Sequence, residues 1–213
     1  MQSKTEMLSV RTDSICEATD KSIALTFDDG PDETYTNAVL DILEHYRVSA
    51  TFFCLGSQVE KHPDVLRKMV RAGHVIGNHS WDHPYFTKET DADIRRQIEK
   101  TSDVIEQTTC VRPRLFRPPY GDVDDRVTGL VQGLGYHVVL WDVDSRDWAG
   151  IPGPTIVANV VPRLRPQAIV LHHCAGNVAG TVDALPYLIE TQEAMGYRFT
   201  TLDALWNMSA YQL

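Results

Sequence analysis

Short apolar segments typical of β-strands alternate with amphipathic helical segments along most of this chain. The predicted strands are Ile23–Phe27, Ala50–Cys54, His74–Gly77, Leu115–Phe116, His137–Val143, Ala168–His173 and Arg198–Thr200. The predicted helices are Thr36–Arg47, His62–Ala72, Asp91–Gln107, Asp124–Leu134, Pro154–Leu164, Val182–Met195 and Leu202–Met208. Such alternation gives a parallel sheet covered by helices, and about seven strand–helix units favour a closed or nearly closed TIM-like (β/α) barrel. An open doubly wound sheet is the alternative.

The 213 residues suit one domain, which we predict over residues 21–213 after a polar N-terminal segment at residues 1–20. No apolar stretch approaches the roughly 20 residues that a membrane-spanning helix needs. The segment Met1 to Asp20 lacks the apolar centre of a signal peptide. The sequence therefore indicates an intracellular chain or a trimmed form of an exported one.

The acidic balance of the chain limits its partners. A net charge of −9 and a pI near 5.3 argue against nucleic acid and anionic membranes, which attract basic surfaces. The four cysteines are Cys16, Cys54, Cys110 and Cys174. They form no Cys-x-x-Cys pair, so neither a zinc knuckle nor a redox pair is indicated. Cys54 lies in an apolar run and is predicted to be a buried free thiol, and disulfide pairing stays open.

Two adjacent carboxylates, Asp28 and Asp29, end the first predicted strand, just before a Gly-Pro turn. Neighbouring carboxylates repel each other, and a bound cation relieves that repulsion. His79 and His83 are four residues apart, which predicts two imidazoles on one face of a helical turn, a spacing that suits one divalent cation. Each pattern also occurs as an ordinary turn or an accidental pair.

Polar side chains follow five of the predicted strands. They are Asp28 and Asp29, His79 and His83, Arg117 and Tyr120, Asp144 and Asp147, and His172 and His173. In a (β/α) barrel the carboxyl ends of the strands meet at one rim, where reactive residues collect. The sequence therefore predicts one site at this rim.

Five segments carry a resemblance to a known family. They are Thr26-Phe27-Asp28-Asp29-Gly30, His79-Ser80-Trp81-Asp82-His83, Arg117-Pro118-Pro119-Tyr120-Gly121, Asp144-Ser145-Arg146-Asp147-Trp148 and Leu171-His172-His173. In this order they resemble the motifs of carbohydrate esterase family 4 polysaccharide deacetylases, which are built on the NodB homology domain. The resemblance runs from Lys21 to about Trp206 and implies a distorted (β/α) barrel.

The resemblance implies a metal-dependent reaction. Asp29, His79 and His83 correspond to the metal ligands, Asp28 to the general base and His173 to the general acid. Such a metal activates water and polarises the acetyl carbonyl, while base and acid transfer protons. Zinc best suits these ligands, although cobalt, nickel or manganese would also be accepted.

The resemblance also assigns supporting roles. Tyr120 corresponds to the residue whose backbone N–H holds the oxyanion, and Arg117 to the arginine that orients the base. Asp147 corresponds to the carboxylate that tethers the acid histidine. Trp148 and Leu171 correspond to walls of the acetyl pocket, and Tyr120 also to a substrate-binding residue.

The last motif departs from the family pattern, Leu-x-His followed by Asp, because Cys174 stands in place of that aspartate. Strand alternation directs only one of His172 and His173 into the barrel mouth. His173 keeps Leu171 on the same face and is the predicted acid. The segment beginning at Thr181 lies one residue too close to His173 and favours His172 instead.

The predicted substrate is an acetylated polysaccharide or oligosaccharide, cleaved by a monomeric enzyme. The preferred reaction is removal of N-acetyl groups from N-acetylglucosamine units of peptidoglycan or chitin. An O-acetyl xylan esterase, a small-molecule amidase of the same fold and a catalytically silent glycan-binding protein are the alternatives. The resemblance also suggests a secreted or cell-surface protein.

Overall fold

The predicted strand–helix alternation is present in the computed structural model, which describes residues 21–212. The strands are β1 (Ser22–Asp28), β2 (Thr51–Cys54), β3 (Val75–Asn78), β4 (Leu115–Phe116), β5 (His137–Val138), β6 (Val143–Asp144), β7 (Ile169–His173) and β8 (Arg198–Phe199). The helices are α1 (Tyr35–Tyr46), α2 (Gly56–Lys61), α3 (Pro63–Arg71), α4 (Asp91–Thr109), α5 (Asp125–Gly133), α6 (Gly153–Val160), α7 (Ala179–Ala194) and α8 (Leu202–Trp206). None of these helices has both the length and the apolar character to cross a bilayer. The predicted polar segment at residues 1–20 lies outside the described residues, so the domain boundary stays a prediction.

The paired strands run parallel in the order β5-β4-β3-β2-β1-β7-β6, and β8 pairs with the first two residues of β1. The two edge strands, β5 and β6, are consecutive in the chain and separated only by residues 139–142. Because an extended chain spans at most about 3.3–3.6 Å per residue, so short a connection requires the two edges to lie close together. The sheet is therefore curled into the predicted distorted barrel and is not the open alternative.

Two elements differ from the sequence prediction. The segment His137–Val143 is not one strand, because β5 pairs with β4 while β6 pairs with β7 at the opposite edge. An apolar run by itself does not show that the chain passes, within that run, from one edge of the sheet to the other. Helix α2 was absent from the prediction because its six residues are too few to show a helical period.

Alternation along β1 and β7 decides which side chains enter the barrel. Phe27 faces the helices, where its ring stacks on Phe52 at a centroid distance of 5.1 Å. Asp28 therefore points to the opposite, inner face. On β7 the residue in register with Asp28 is His173, and His172 is in register with Phe27. His173 thus shares the inner face with Asp28, and His172 lies among the helix-facing side chains.

The described cysteines are all free thiols. Cys54 and Cys174 are buried and Cys110 is exposed, which confirms the prediction for Cys54. Burial raises the pKa of the Cys54 thiol far above its usual range, so the group stays protonated. Cys16 lies outside the described residues.

Candidate active site

Seven of the predicted site residues meet at the carboxyl ends of the strands. They are Asp28, Asp29, His79, His83, Arg117, Asp147 and His173. Each has a side-chain nitrogen or oxygen within 3.6 Å of that of another member. The predicted rim site is therefore assembled from segments far apart in the chain.

A backbone turn at Asp29 brings both adjacent carboxylates to the same side. Consecutive residues of a strand normally point to opposite faces. Asp29 instead has φ of 72°, a left-handed conformation that aspartate tolerates better than most residues. As a result, Oδ2 of Asp28 and Oδ1 of Asp29 lie 3.6 and 3.5 Å from the same atom, Nε2 of His79.

Asp29, His79 and His83 form a three-ligand cluster. Oδ1 of Asp29 lies 3.5 Å from Nε2 of His79 and 3.5 Å from Nε2 of His83. One ligand atom from each residue lies within 4.8 Å of the other two, close enough to surround a single cation. Two imidazoles and a carboxylate are typical ligands of a catalytic zinc site that leaves open positions.

The protein environment fits a bound cation. Oδ1 of Asp29 is buried and has no hydrogen-bond partner among residues 21–212, which is costly for a carboxylate oxygen. Burial lowers the pKa of His79 and His83, so both imidazoles are kept in the neutral form that coordinates metal. Nδ1 of His79 lies 2.7 Å from the carbonyl oxygen of Arg117, and donating a proton there leaves Nε2 free as a ligand.

The two histidines do not lie on a helical turn, so that part of the prediction is wrong. Residues 79–83 form an irregular loop in which Ser80 and His83 have φ of 73° and 67°. A proline follows His83, and the residue before proline is disfavoured in the helical region. The imidazoles nevertheless converge, with ring centroids 5.0 Å apart.

Arg117 is fully buried and fixes the carboxylate of Asp28. Its Nη1 donates hydrogen bonds of 2.8 Å to Oδ1 of Asp28 and to Oγ1 of Thr26. Its Nε and Nη2 donate to the carbonyl oxygens of Val139 and Leu140, at 3.4 and 3.2 Å. The arginine is thus not a surface ion pair. It leaves Oδ2 of Asp28 directed toward His79.

Asp147 holds the imidazole of His173. One carboxylate oxygen lies 2.7 Å from Nδ1 of His173, and the other accepts the backbone N–H of His173 and the hydroxyl of Thr181. Although burial alone would lower it, the hydrogen bond and charge of Asp147 raise the pKa of His173 to about 9. His172 is completely buried, and neither of its ring nitrogens has a hydrogen-bond partner among the described residues.

We expect His173 of the metal-free protein to titrate near pH 9 and Asp147→Asn to lower that pKa. The substitution removes the negative charge that favours imidazolium and leaves burial, which opposes it. Because the folded pKa exceeds the unfolded value of about 6.5, His173 stabilises the fold fully below pH 6.5. That stabilisation is lost as the pH rises through about 9. NMR titration of the imidazole proton shifts measures the pKa directly.

Asp144→Asn is the matched control for this titration. The carboxylate of Asp144 accepts the backbone N–H of Arg146, and among the described residues no hydrogen bond or ion pair joins it to His173. We expect its removal to leave the pKa of His173 unchanged. Equal titration curves for Asp147→Asn and the unsubstituted protein would contradict the assignment of Asp147 as the cause.

The three predicted substrate-contacting residues differ in exposure. Tyr120 has φ of 60° and a side chain that is 55% exposed, and its ring lies 4.4 Å from that of His83 and 4.1 Å from that of Tyr85. Trp148 is also exposed, next to the buried Asp147, whereas Leu171 is buried. Two of the three are therefore exposed, and one of these, Tyr120, contacts His83 of the cluster.

Sequence reasoning missed several residues that support the site. Thr26 and Thr181 hydrogen-bond to Arg117 and Asp147, and Gln97 of α4 hydrogen-bonds to the loop of His79 and His83. The sequence does contain one indication of Gln97. It is a polar residue on the apolar face of α4, between Ile94 and Ile98. An amide at such a position requires a buried partner.

A sequence model of polysaccharide deacetylases matches residues 16–139, which is more than half of the 213 residues. The chain belongs to the polysaccharide deacetylase family. This finding confirms the resemblance to carbohydrate esterase family 4, and it makes the chain a member of a family of deacetylase enzymes.

Relatives and a solved structure agree with this family. The chain is 38% identical over 189 residues to a peptidoglycan-N-acetylglucosamine deacetylase of Bacillus cereus, covering 88% of the chain and 69% of that protein. It is 37% identical over 202 residues to the peptidoglycan-N-acetylmuramic acid deacetylase PdaC of Bacillus subtilis, covering 95% of the chain but 42% of PdaC. The crystal structure of the peptidoglycan N-acetylglucosamine deacetylase Bc1960 superimposes with a TM-score of 0.88 at 36% identity, over 91% of each chain.

Proposed function

We propose that this protein is a metal-dependent hydrolase that removes N-acetyl groups from N-acetylglucosamine units of peptidoglycan or chitin-type polymers and oligomers. The observation that carries the proposal is the Asp29–His79–His83 cluster beside the Arg117-bound carboxylate of Asp28. His173, in register with Asp28 on the neighbouring strand, adds an imidazole with a raised pKa. Hydrolysis of an acetamide needs these three functions together.

Asp29, His79 and His83 would hold the cation, and zinc best suits two imidazoles and a carboxylate. Cobalt, nickel and manganese also accept such ligands, with affinities that follow the general order of divalent metals. When bound, the metal supplies Lewis acidity, which makes water more acidic and the acetyl carbonyl more electrophilic. The unpartnered, buried Oδ1 of Asp29 supports this assignment.

The side chains of this protein would move the protons. Asp28 accepts a proton from the attacking water as oxygen bonds to the acetyl carbon, and Arg117 holds that carboxylate in its orientation. The backbone N–H of Tyr120 donates to the oxyanion. As the carbon–nitrogen bond breaks, His173 gives its proton to the departing amine, and Asp147 holds the imidazole in position. Acetate and a free amino sugar result.

The relatives favour peptidoglycan as the polymer. Two curated relatives are named for deacetylation of N-acetylglucosamine and N-acetylmuramic acid units of peptidoglycan. Tyr120, whose ring contacts His83, and Trp148, which follows Asp147 in the chain, are exposed aromatic side chains, and aromatic rings suit contact with sugars. We propose that Trp148 and Leu171 line the acetyl pocket and that the protein acts as a monomer.

The test is acetate release from three substrates in parallel: peptidoglycan glycan strands, N-acetylglucosamine oligomers and acetylated xylan. Each is incubated with the protein as purified, after chelation, and after addition of Zn²⁺ or Co²⁺. We expect release from the amino-sugar substrates that is lost on chelation and restored by metal. Full activity after complete chelation would contradict metal dependence.

The same assay separates the alternatives. Release from xylan alone would replace the proposal with an O-acetyl esterase, since an ester is cleaved more easily at the same site. Absence of release from all three substrates, despite bound metal, would indicate a small-molecule amidase or a silent glycan-binding protein.

A further inference from the structure

In the loop of His79 and His83, the backbone N–H groups of residues 80–83 donate to side chains, while the carbonyl oxygens of Ser80 and Trp81 accept the backbone N–H groups of Gly56 and Ser57. Its backbone lacks helical hydrogen bonds, and two of its five residues have left-handed conformations. The amide N–H of Ser80 donates to Oδ1 of Asn78 at 2.8 Å, and that of His83 donates to Oγ of Ser80 at 3.1 Å. The two central amides depend on a residue from a different element.

That residue is Gln97, which lies in the middle of α4 and is 9% exposed. Its Oε1 accepts the backbone N–H groups of Trp81 and Asp82, at 2.7 and 3.2 Å. Its Nε2 donates to the carboxylate of Asp82 at 2.5 Å. One side-chain amide therefore makes three hydrogen bonds to Trp81 and Asp82, two of the three residues between the histidines.

The orientation of this amide is fixed by its partners. Oxygen meets two donors and nitrogen meets an acceptor, and a flipped amide would set NH₂ against two N–H groups. Gln97 is itself positioned by α4, whose Thr90 caps the helix by accepting the backbone N–H of Asp93. Ile94 and Ile98, on either side of Gln97, are fully buried and anchor this part of the helix.

We propose that Gln97 is a positioning residue for the metal ligands, since it fixes the backbone between His79 and His83. The proposal rests on the proposed function only in that these histidines hold a metal. The three hydrogen bonds exist without it. Groups that orient metal ligands from outside typically contribute 10- to 100-fold in metal affinity. We expect a loss in this range when Gln97 is removed.

The first variant is Gln97→Ala, with Gln107→Ala as the matched control because Gln107 is an exposed glutamine of the same helix. We expect Gln97→Ala to weaken Zn²⁺ binding by about 10- to 100-fold in competition with a chromophoric chelator. Turnover at saturating zinc is expected to recover, with Gln107→Ala unchanged throughout. Circular dichroism checks that both variants fold.

A reciprocal exchange separates positioning from general packing. Gln97→Glu still accepts both backbone N–H groups but brings a carboxylate against that of Asp82, and it should weaken zinc binding. Adding Asp82→Asn supplies an amide donor in place of the carboxylate and restores one donor–acceptor pair. We expect the double variant to bind zinc more tightly than Gln97→Glu alone.

Hydrogen exchange of the metal-free protein tests the contact itself. The amides of Trp81 and Asp82 should be protected in the unsubstituted protein and exchange faster in Gln97→Ala. Unchanged protection and unchanged zinc affinity in Gln97→Ala would overturn the proposal. If the unsubstituted protein binds no zinc while Gln97 still protects the amides of Trp81 and Asp82, the proposed metal site is wrong. The role of Gln97 in positioning metal ligands is then also wrong, although its hydrogen bonds to the loop remain.

Discussion

Asp28→Asn is expected to lower kcat by about 10²- to 10⁴-fold, the usual contribution of a general base. Asparagine can still accept a hydrogen bond from Arg117 but cannot take a proton from water. The three residues of the metal cluster, Asp29, His79 and His83, are untouched, so zinc should remain bound. Rates with acetylated amino-sugar oligomers and metal content per chain are the two measurements.

The control is Asp41→Asn, which changes an exposed carboxylate on α1 that pairs with Lys68. It should leave rate and metal content unchanged. Because Asp28 forms a buried pair with Arg117, the test variant also loses stability, by up to about 3–5 kcal/mol, and rates are measured well below its melting temperature. A metal-replete Asp28→Asn enzyme with a near-normal rate would remove Asp28 from the role of base.

His79→Ala is expected to abolish both metal binding and turnover. It removes one of three ligands, so the loss of zinc affinity should exceed the roughly 100-fold that outer groups cause. His79 is 2% exposed, and an alanine there leaves a cavity that could unfold the protein. His83→Ala is the second variant, because His83 is less buried and its loss disturbs packing less.

His45→Ala, an exposed histidine at the end of α1, controls for nonspecific loss of imidazole–zinc contacts. Equilibrium dialysis with Zn²⁺ gives the number of ions bound per chain, and acetate release gives the rate. A folded His79→Ala or His83→Ala protein that still binds one zinc tightly would show that the cluster is not the metal site.

Much of this architecture could be predicted from local pattern. Strands and helices are indicated by the period of their apolar residues, and parallel strands in a barrel bring their carboxyl ends to one rim. That logic places Asp28, His79 and Arg117 together without any structure. It also predicts that only one of His172 and His173 enters the barrel mouth, whereas the register that stacks His172 on Phe27 and leaves His173 on the inner face comes from the structure.

The remainder depends on contacts that no local pattern contains. Gln97 meets the histidine loop only because α4 packs there, and Thr181 reaches Asp147 only because α7 begins beside β7. The division of His137–Val143 into two edge strands follows from the curling of the whole sheet, which brings its two edges close together. The left-handed backbone conformations of Asp29 and His83 likewise depend on contacts made in the folded site.

The buried guanidinium of Arg117 contacts the segment between the two edge strands as well as the carboxylate of Asp28. It binds the carbonyl oxygens of Val139 and Leu140, in the short segment that crosses from one edge to the other. The position of the Asp28 carboxylate therefore depends, through this one side chain, on the same short segment that brings the two edges of the sheet close together.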